Sequence, residues 1–383
     1  MKVFLLGLIY LTCQYKAMAL DSNTSLQVQS FNVGLAHSFV PHAKDRLPLI
    51  IESLKKQPSD ILCLQEVWTK NDREAITEAL KTIYPHSFYQ PIKQKYSQNS
   101  PTCQLNDLVG QGKLANCLMS ECRKQKGKAF TDCVLIQCNS SLSQLKKQNR
   151  DCASGLMSLV GKNIFLGVTT LLNPFDKSGL FAYEGGTGLL LLSKTPLNQK
   201  TTLDLSSIST LTRRAALKAQ ISWNNKDIQL GCTHLTANLG DKVPYMGRFK
   251  SWGEENLQQT KLLIQSFQER PLPTLLMGDF NCSTKVPLKD IQQNFASSCS
   301  LLQRSFQDPA NLKLAQCTHC KNNLLYPKNS KTSSYILDHI FVRSLEVQKS
   351  EITQNEEKTI VLKNKQKKAI HLSDHFGVKL LIK

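Results

Sequence analysis

The sequence predicts an α/β fold in which two β-sheets pack against each other and helices cover their outer faces. Strand-like and helix-like segments alternate along the chain, whose 383 residues suffice for one large α/β domain or two small ones. Several strand-like segments are apolar throughout, as strands covered on both faces require. The 41% hydrophobic and 20% charged residues are typical of a soluble globular protein. Many buried strands with helices between them favour a two-sheet sandwich.

Hydrophobic periodicity predicts the elements in the first part of the chain. Residues 26–33 alternate between apolar and polar as a strand does, and residues 61–67 form a continuous apolar run that predicts a buried strand. Two amphipathic helices accompany these strands, and Pro48 is expected in the first turn of the first helix, where proline is tolerated. Their apolar faces comprise Leu47, Ile50, Ile51 and Leu54 in the first helix and Ala75, Ile76, Ala79, Leu80 and Ile83 in the second.

The strand pattern is interrupted from about residue 91 to 182 and then resumes. The later predicted strands are 188–192, 215–222, 227–235, 274–277, 335–342 and 377–382. Within the interrupted stretch, residues 155–175 are apolar, but Lys162 and Asn163 break the run. A packed helix is therefore expected there rather than a membrane span, and an element that touches a membrane is the functional alternative.

The N-terminus has the layout of a secretory signal peptide. Lys2 precedes an apolar run, and Ala17-Met18-Ala19 forms a small-x-small cleavage site, so residues 1–19 are predicted to be removed from a secreted or periplasmic protein. A buried N-terminal helix is the alternative, and lipidation of Cys13 matches its flanking residues poorly. Removal of Lys2 and Lys16 with this segment lowers the net charge from +19 to +17.

Twelve cysteines follow the predicted signal peptide, and an even count in an exported chain predicts disulfides. Zinc binding is the alternative, although the spacings match no zinc signature. Cys63 and Cys232 lie in apolar strand-like runs, where cysteine also serves as a small buried hydrophobic residue. Half of the twelve lie in one polar, lysine-rich stretch: Cys103, Cys117, Cys122, Cys133, Cys138 and Cys152.

The excess of lysine and arginine predicts a surface that attracts anions. Nucleic acid, anionic lipid headgroups and a polyanionic envelope all fit this charge, and composition does not distinguish them. A concentrated run of lysines lies near the C-terminus, and the simpler interpretation of it is a solvated hairpin tip. The run consists of Lys363, Lys365, Lys367 and Lys368.

Polar residues recur at the ends of the predicted strands. Any one of them is typical of a cap or a turn, but burying so many acids is costly unless they are paired or bind a cation. Together they predict an active site. The residues are Asn32, Glu66, His234, Asp279, Asn281, Asp338, Asp374 and His375. Asp279 and Asn281 are expected to point the same way, because alternate residues of a strand share a face.

Six motifs carry a resemblance to the endonuclease–exonuclease–phosphatase superfamily, which includes DNase I-like nucleases, inositol phosphatases and neutral sphingomyelinases. They are FN (31–32), LQEVW (64–68), THLTA (233–237), GDFN (278–281), LDHIF (337–341) and SDHFG (373–377). Their order is that of the family. The resemblance implies a DNase I-like four-layer α/β (α+β) sandwich of two packed mixed β-sheets flanked by helices, formed by residues 20–383 with a Cys-rich insertion at about 91–182.

The flanks of these motifs most resemble neutral sphingomyelinases, over residues 31–72, 188–197 and 233–267. This resemblance implies a phosphodiesterase dependent on Mg²⁺, with Mn²⁺ and Ca²⁺ as alternatives. The implied metal-binding residues are Glu66, Asn32 and Asp374. The implied catalytic residues are His375 as general base, Asp338 as its partner, Asp279 and Asn281 on the attacking water and a phosphoryl oxygen, and His234 on phosphate oxygens, with Glu184 in support.

The implied reaction is hydrolysis of sphingomyelin at a phospholipid membrane surface to ceramide and phosphocholine. A secreted DNase I-like endonuclease that acts on DNA or RNA is the alternative, and the net charge favours it because phosphate contacts dominate nucleic-acid affinity. A binding protein without catalysis is disfavoured, because none of the polar strand ends is missing.

Two departures from the family concern residues near the predicted site. The insertion at about 91–182 has no clear counterpart, and a disulfide-stapled excursion at the rim of the site is expected there. His339 stands where the family more often has an aromatic residue, so a packing role is expected. Cys317 and Cys320 are a candidate end of a disulfide to Cys299.

Overall fold

The protein is described by a computed structural model. It covers residues 25–37, 39–91, 103–125, 128–157, 169, 172–173, 181–240, 243, 245, 247–327, 329–362 and 364–383. The predicted signal peptide and most of the apolar segment 155–175 lie outside the described residues.

One mixed sheet has six strands in the order β10-β13-β1-β2-β4-β3. Their bounds are β1 Leu26–Asn32, β2 Ile61–Gln65, β3 His86–Phe88, β4 Leu190–Ser193, β10 Val347–Thr353 and β13 Gly377–Ile382. β1 and β2 are parallel, and the other neighbouring strands of this sheet are antiparallel. The C-terminal ends of β1 and β2 therefore lie at the same edge as the beginning of β13.

The second mixed sheet has five strands in the order β5-β6-β7-β8-β9. Their bounds are β5 Asn198–Asp204, β6 Ala215–Trp223, β7 Lys226–His234, β8 Thr274–Asp279 and β9 Asp338–Arg343. β7 and β8 are parallel, and the other neighbouring strands are antiparallel. β11 (Glu357–Val361) and β12 (Lys367–His371) form a separate hairpin. Lys365 lies in its connecting turn and Lys367 and Lys368 begin β12, while Lys363 lies outside the described residues.

The two sheets pack face to face around one hydrophobic cluster. Leu191 and Val378 of the first sheet share this cluster with Leu217 and Met277 of the second, and all four are buried. The Cys63–Cys232 disulfide joins β2 to β7 across the interface. In the chain-entropy account, a loop closed over 169 residues stabilises the fold by about 5 kcal/mol. Interpreting these cysteines as unpaired buried hydrophobic residues was therefore wrong.

Helices cover the outer face of each sheet, which completes the predicted four layers. α1 (Ala43–Lys56) and α2 (Lys70–Leu80) pack on the six-stranded sheet. A longer helix and a shorter one, Trp252–Gln268 and Ala296–Ser305, pack on the five-stranded sheet. Pro48 lies inside α1 rather than in its first turn, because the helix begins at Ala43, earlier than its apolar face indicates.

The described part of the predicted insertion is built largely of short helices. They are α3 Leu105–Leu108, α4 Leu114–Cys117, the π-helical turn Leu118–Cys122, α5 Lys128–Gln137, α6 Asn139–Gln148 and α7 Arg150–Met157. Trp252–Gln268, Ala296–Ser305 and Pro309–Leu314 are then α8, α9 and α10. The small core of the insertion contains Leu142 and Leu145 and continues into Tyr245 and Trp252 of the main domain. The insertion is thus anchored beside the start of α8.

All twelve cysteines that follow the predicted signal peptide form disulfides, so the prediction of disulfides rather than zinc binding is confirmed. Three pairs staple the insertion: Cys103–Cys152, Cys117–Cys138 and Cys122–Cys133. Cys282 pairs with Cys299 and Cys317 with Cys320, so the expected bridge from Cys299 to the Cys317–Cys320 segment was wrong. Such disulfides are typical of an extracellular or periplasmic protein. Among the described residues, no helix has the length and hydropathy needed to span a membrane.

Candidate functional site

A pocket of about 450 Å³ opens at the edge where the two sheets present the same ends of their strands. β1, β2, β7 and β8 end at this edge, and the antiparallel strands β9 and β13 begin there. Because all six strand ends carry polar residues, this topology brings together side chains that are far apart in sequence. The polar residues that line the pocket include Glu66, His234, Asp279, Asn281, Asp374 and His375.

Asn32 links the two sheets at the floor of the site. Its Nδ2 donates to Asp279 Oδ2 at 2.9 Å, and it lies 3.4 Å from Glu66 Oε1. Its Oδ1 accepts the backbone N–H of Gly34 at 3.0 Å, which fixes the orientation of the amide. One buried amide therefore sets the relative positions of a carboxylate from the first sheet and a carboxylate from the second.

Glu66 has the features of a cation ligand. It follows β2 with φ of 61°, a left-handed conformation that is uncommon outside glycine and turns the chain sharply at the strand end. Its Oε2 is buried and has no hydrogen-bond partner among the described residues. Burial, together with the charge of Asp374, raises the pKa of Glu66 above its ordinary value. Two neighbouring carboxylates with an unpartnered oxygen fit a hard divalent cation, which prefers oxygen ligands.

Asp374 approaches the backbone of Gly34 closely. Ser373 Oγ donates to Asp374 Oδ1 at 3.2 Å, which holds the carboxylate in place. Gly34 has φ of 56°, and a Cβ atom there would lie 2.5 Å from the same oxygen. The turn after β1 therefore requires glycine for its conformation and for the space that Asp374 occupies.

His375 and Asp338 form a hydrogen-bonded pair in which Nδ1 lies 2.8 Å from Asp338 Oδ2. Burial lowers the pKa of His375, but the carboxylates of Asp338 and Asp279 outweigh that effect and raise it well above its ordinary value. Nε2 has no hydrogen-bond partner among the described residues, and His375 lines the pocket. This arrangement suits proton transfer at Nε2 with Asp338 holding the tautomer.

His234 lies on the opposite side of Asp279, with its Nε2 3.5 Å from Asp279 Oδ2. Burial and the charges of Arg214 and His375 lower the pKa of His234 well below its ordinary value, so this imidazole is neutral. Burial and the charge of Asp338 raise the pKa of Asp279 to about 7. A neutral His234 can donate an N–H to a phosphoryl oxygen, but it is a poor source of a full proton.

Asn281 reaches the pocket by a different route from the one expected. β8 ends at Asp279, and Asn281 has φ of 52°, so the chain has already turned at this residue. Its backbone N–H donates to Asp279 Oδ1 at 2.9 Å, and its Nδ2 donates to Leu235 O at 3.0 Å. Strand alternation was therefore the wrong reason for the shared direction of Asp279 and Asn281, which the turn produces instead.

Glu184 lies in a short 3₁₀ helix, Ala182–Gly185, at the border of the pocket. Its side chain is outside the part of the chain that the structure describes, so its supporting role stays a prediction. The neighbouring Tyr183 lines the pocket and stacks on Trp68 with ring centroids 4.8 Å apart.

Several pocket residues were not singled out from the sequence. Arg214 and His319 both line the pocket. In the sequence, the Arg213-Arg214 pair directly before an apolar strand was a signal for Arg214. The closely spaced Cys-Thr-His-Cys segment was a signal for His319. The pocket also has an apolar wall, for which the sequence carried no local signal. That wall comprises Leu135, Leu211, Leu239, Val243 and Trp252.

A sequence profile described as the Endonuclease/Exonuclease/phosphatase family matches residues 30–375. The chain belongs to this family. The match begins just before Asn32 and ends at His375, so it contains every residue of the pocket floor. Among curated proteins, none matched the sequence.

Solved structures share the fold at low sequence identity. An endonuclease/exonuclease/phosphatase family protein from Bacteroides thetaiotaomicron is 17% identical with a TM-score of 0.51, covering 94% of this chain and 98% of its own. A structure named SmcL is 14% identical (TM-score 0.53; 94% and 99% covered). Sphingomyelinase C from Streptomyces griseocarneus is 13% identical (TM-score 0.50; 94% and 99% covered). At these identities the likeness is one of fold.

Proposed function

We propose that this protein is a divalent-metal-dependent phosphodiesterase that acts outside the cytosol and hydrolyses sphingomyelin to ceramide and phosphocholine. The observation that carries the proposal is the division of the pocket into two surfaces. Acids, amides and histidines form its floor, and an apolar wall that includes Leu135 of the insertion stands beside them. A substrate with a phosphodiester next to a long apolar body matches both surfaces.

The side chains of the site support hydrolysis of a phosphodiester bond. We expect His375 Nε2 to accept a proton from the attacking water while Asp338 holds Nδ1 and stabilises the imidazolium that forms. We expect Asp279 and Asn281, which line the pocket, to orient that water and a phosphoryl oxygen. We expect His234, whose pKa is lowered well below its ordinary value, to donate an N–H to a second phosphoryl oxygen.

Glu66 and Asp374, with Asn32 behind them, are the residues that would hold the cation. Mg²⁺ bound there would supply charge stabilisation to the phosphoryl oxygens and to the leaving alkoxide of ceramide, which would take its proton from water. His375 must be neutral to accept a proton, so its carboxylate-raised pKa has to be offset by positive charge elsewhere in the site. A cation held by Glu66 and Asp374 would contribute such charge, and we expect the activity to require a divalent cation.

The test uses the protein with its disulfides intact and vesicles of sphingomyelin, with and without EDTA. Release of phosphocholine that requires Mg²⁺ and disappears in His375→Ala supports the proposal. Vesicles of phosphatidylcholine and of phosphoinositides are assayed in parallel, because they share the phosphodiester and the apolar body. Turnover of one of these, with sphingomyelin intact, would contradict the headgroup assignment and leave a phospholipid phosphodiesterase.

A second candidate is a nuclease, and one observation favours it. Sphingomyelin is zwitterionic and needs no basic protein, yet the net charge is +19. Nucleic-acid affinity comes largely from lysine and arginine contacts to phosphates and falls steeply with salt. Plasmid nicking that is abolished by EDTA and weakened by salt, together with intact vesicles, would replace the lipid proposal by this one.

A further inference from the structure

Arg214 lines the candidate catalytic pocket, and its guanidinium forms no hydrogen bond and no salt bridge with any of the described residues. Arg214 is 5% exposed, and its Nε and Nη1 are buried with no hydrogen-bond partner among the described residues. Its Cζ lies 5.8 Å from the centroid of the Trp68 ring, so the planar group is held over an aromatic face. The same pocket contains Glu66 and Asp279, but neither forms a salt bridge with Arg214 within 4.0 Å among the described residues.

The other buried arginines of the described chain show how unusual this is. Arg46 donates to the backbone oxygens of Val33 and Leu372 at 2.9 and 2.7 Å and to two further carbonyl groups. Arg213, the direct neighbour of Arg214, forms a salt bridge to Asp204 at 2.6 Å. A buried guanidinium that lacks such partners is costly, because its desolvation is not compensated. The surroundings therefore fit an anion that enters the pocket.

The anion can be identified by chemistry. A guanidinium presents a planar fork of N–H donors that matches two oxygens of a phosphate, and its contact with an aromatic ring restricts its orientation. Arg214 lines this pocket together with His234 and Asn281 and lies close enough to His234 for its charge to add to the effect of burial in lowering the pKa of that imidazole. A tetrahedral phosphoryl group provides oxygens for all of these donors.

We propose that Arg214 binds non-bridging oxygens of the substrate's phosphoryl group, so that phosphate recognition in this pocket does not depend on the metal ion alone. The inference deepens the proposed function, since it names how that site holds its substrate. It applies to any phosphodiester and does not depend on the headgroup. Arg214 would therefore be a catalytic residue in the sense that it touches the reacting group.

In the first experiment, inorganic phosphate is titrated into the full chain in the presence of EDTA, and binding is measured by calorimetry and by tryptophan fluorescence. Fluorescence is suited to this because the guanidinium lies over the ring of Trp68. Wild type is expected to bind phosphate, and Arg214→Gln to bind it about 10- to 100-fold more weakly, as expected for lost charge-assisted hydrogen bonds. Arg213→Gln is the matched control and should bind as wild type does. Equal binding by Arg214→Gln and wild type, or no binding by wild type, would overturn the proposal.

A thermal unfolding measurement separates this role from a structural one. Because Arg214 has no partner in the described structure, Arg214→Gln should be at least as stable as wild type without phosphate. Phosphate should raise the Tm of wild type and leave that of Arg214→Gln unchanged. A lower Tm for Arg214→Gln in the absence of phosphate would show that the side chain is structural. Arg214→Lys, which keeps the charge but loses the fork, should bind phosphate with intermediate affinity.

The two proposals fail in different ways. If the protein binds phosphate through Arg214 but leaves sphingomyelin intact, the proposed substrate is wrong and the proposed role of Arg214 stands. If the protein hydrolyses sphingomyelin but Arg214→Gln binds phosphate as wild type does, the proposed reaction stands and the proposed role of Arg214 is wrong.

Discussion

β9 begins with two neighbouring residues that form two histidine–carboxylate pairs on opposite faces of the sheet. Asp338 Oδ2 lies 2.8 Å from His375 Nδ1 at the pocket floor. His339 Nδ1 lies 2.9 Å from Asp308 Oδ2 on the other face, where both side chains are buried. The two pairs have the same chemistry and almost the same geometry. They lie on opposite faces because successive residues of a strand point in opposite directions.

The second nitrogen of each histidine separates the two regions. His339 Nε2 lies 3.0 Å from Cys282 O and 3.1 Å from Ile336 O, so both ring nitrogens of His339 have partners. His375 Nε2 has no hydrogen-bond partner among the described residues, and the side chain of His375 lines the pocket. A raised pKa and a carboxylate partner are therefore insufficient to mark a catalytic histidine. What distinguishes His375 is that its second nitrogen has no partner among the described residues and that its side chain lines the pocket.

The comparison also refines the prediction made for His339. A packing role was expected, and its ring stacks on Phe341 with centroids 5.0 Å apart. The ion pair with Asp308 was not expected. Asp308 lies just before α10, in a segment for which the sequence carried no signal of contact with β9.

The largest expected effect is on the rate of the reaction. His375→Ala should lower kcat at least about 10²-fold, the scale expected for loss of the proposed general base, and Glu66→Ala should do the same by removing a proposed metal ligand. Steady-state assays of phosphocholine release measure both, and unfolding curves should show that both variants fold. Turnover near the wild-type value in either variant would show that the site assignment is wrong.

Removing a partner from the other pair should affect stability instead. Asp308→Ala leaves a buried imidazolium without its counter-charge, and the free energy of unfolding should fall by about 3–5 kcal/mol. Denaturant titration measures this loss, and kcat of the folded fraction should change little. Asp338→Ala is the matched variant on the catalytic face, where kcat should fall far more. Equal effects of both variants on kcat would remove the distinction between the two faces.

The pH dependence of stability should report His339. Burial lowers its pKa, but the charge of Asp308 outweighs burial and raises the pKa to about 9. Because the folded-state value exceeds the unfolded value of about 6.5, the pair stabilises the fold fully below pH 6.5 and loses that contribution as pH rises through 9. The loss should be on the order of 3 kcal/mol. His339→Phe should lack this component of the pH profile, and a profile identical to wild type would contradict it.

The smallest expected effects concern two disulfides, one for each face. Thr318, inside the Cys317–Cys320 turn, accepts the backbone N–H of Leu337 and Asp338 at 3.0 and 3.1 Å, and its carbonyl accepts the N–H of Phe376 at 2.7 Å. Replacing both cysteines of this turn by serine should lower kcat about tenfold by displacing the His375–Asp338 pair. The loss of stability should be only about 1.5–2 kcal/mol, because the closed loop is very short.

The Cys282–Cys299 disulfide provides the control, because the carbonyl of Cys282 lies against His339. Replacing that pair by serine should cost about 3 kcal/mol of stability, as for a loop of this length, and leave kcat unchanged. A drop in kcat in this variant, or none in the Cys317–Cys320 variant, would show that the two turns do not divide their roles between the faces.

The sequence by itself determined the fold class and most of the pocket floor. Both depend on local patterns: apolar runs predict buried strands, and polar residues directly after them predict a shared edge. The order of the six motifs then indicated the family, and Asn32, Glu66, Asp279 and His375 do meet in one pocket. The disulfide prediction succeeded in the same way, because an even number of cysteines is visible without knowing which pairs form.

Only the tertiary structure decided contacts between segments distant along the chain. Cys63 meets Cys232 across 169 residues, and Asn32 meets Asp279 across 247, because the two sheets pack face to face. That Arg214 has no hydrogen-bond or salt-bridge partner among the described residues could not be predicted, since a missing partner is a property of every element around a side chain. Asp279 and Asn281 converge through a left-handed turn, a backbone conformation that no residue pattern indicated. Local sequence determines which side chains each strand end carries, and tertiary packing determines which other side chains they contact.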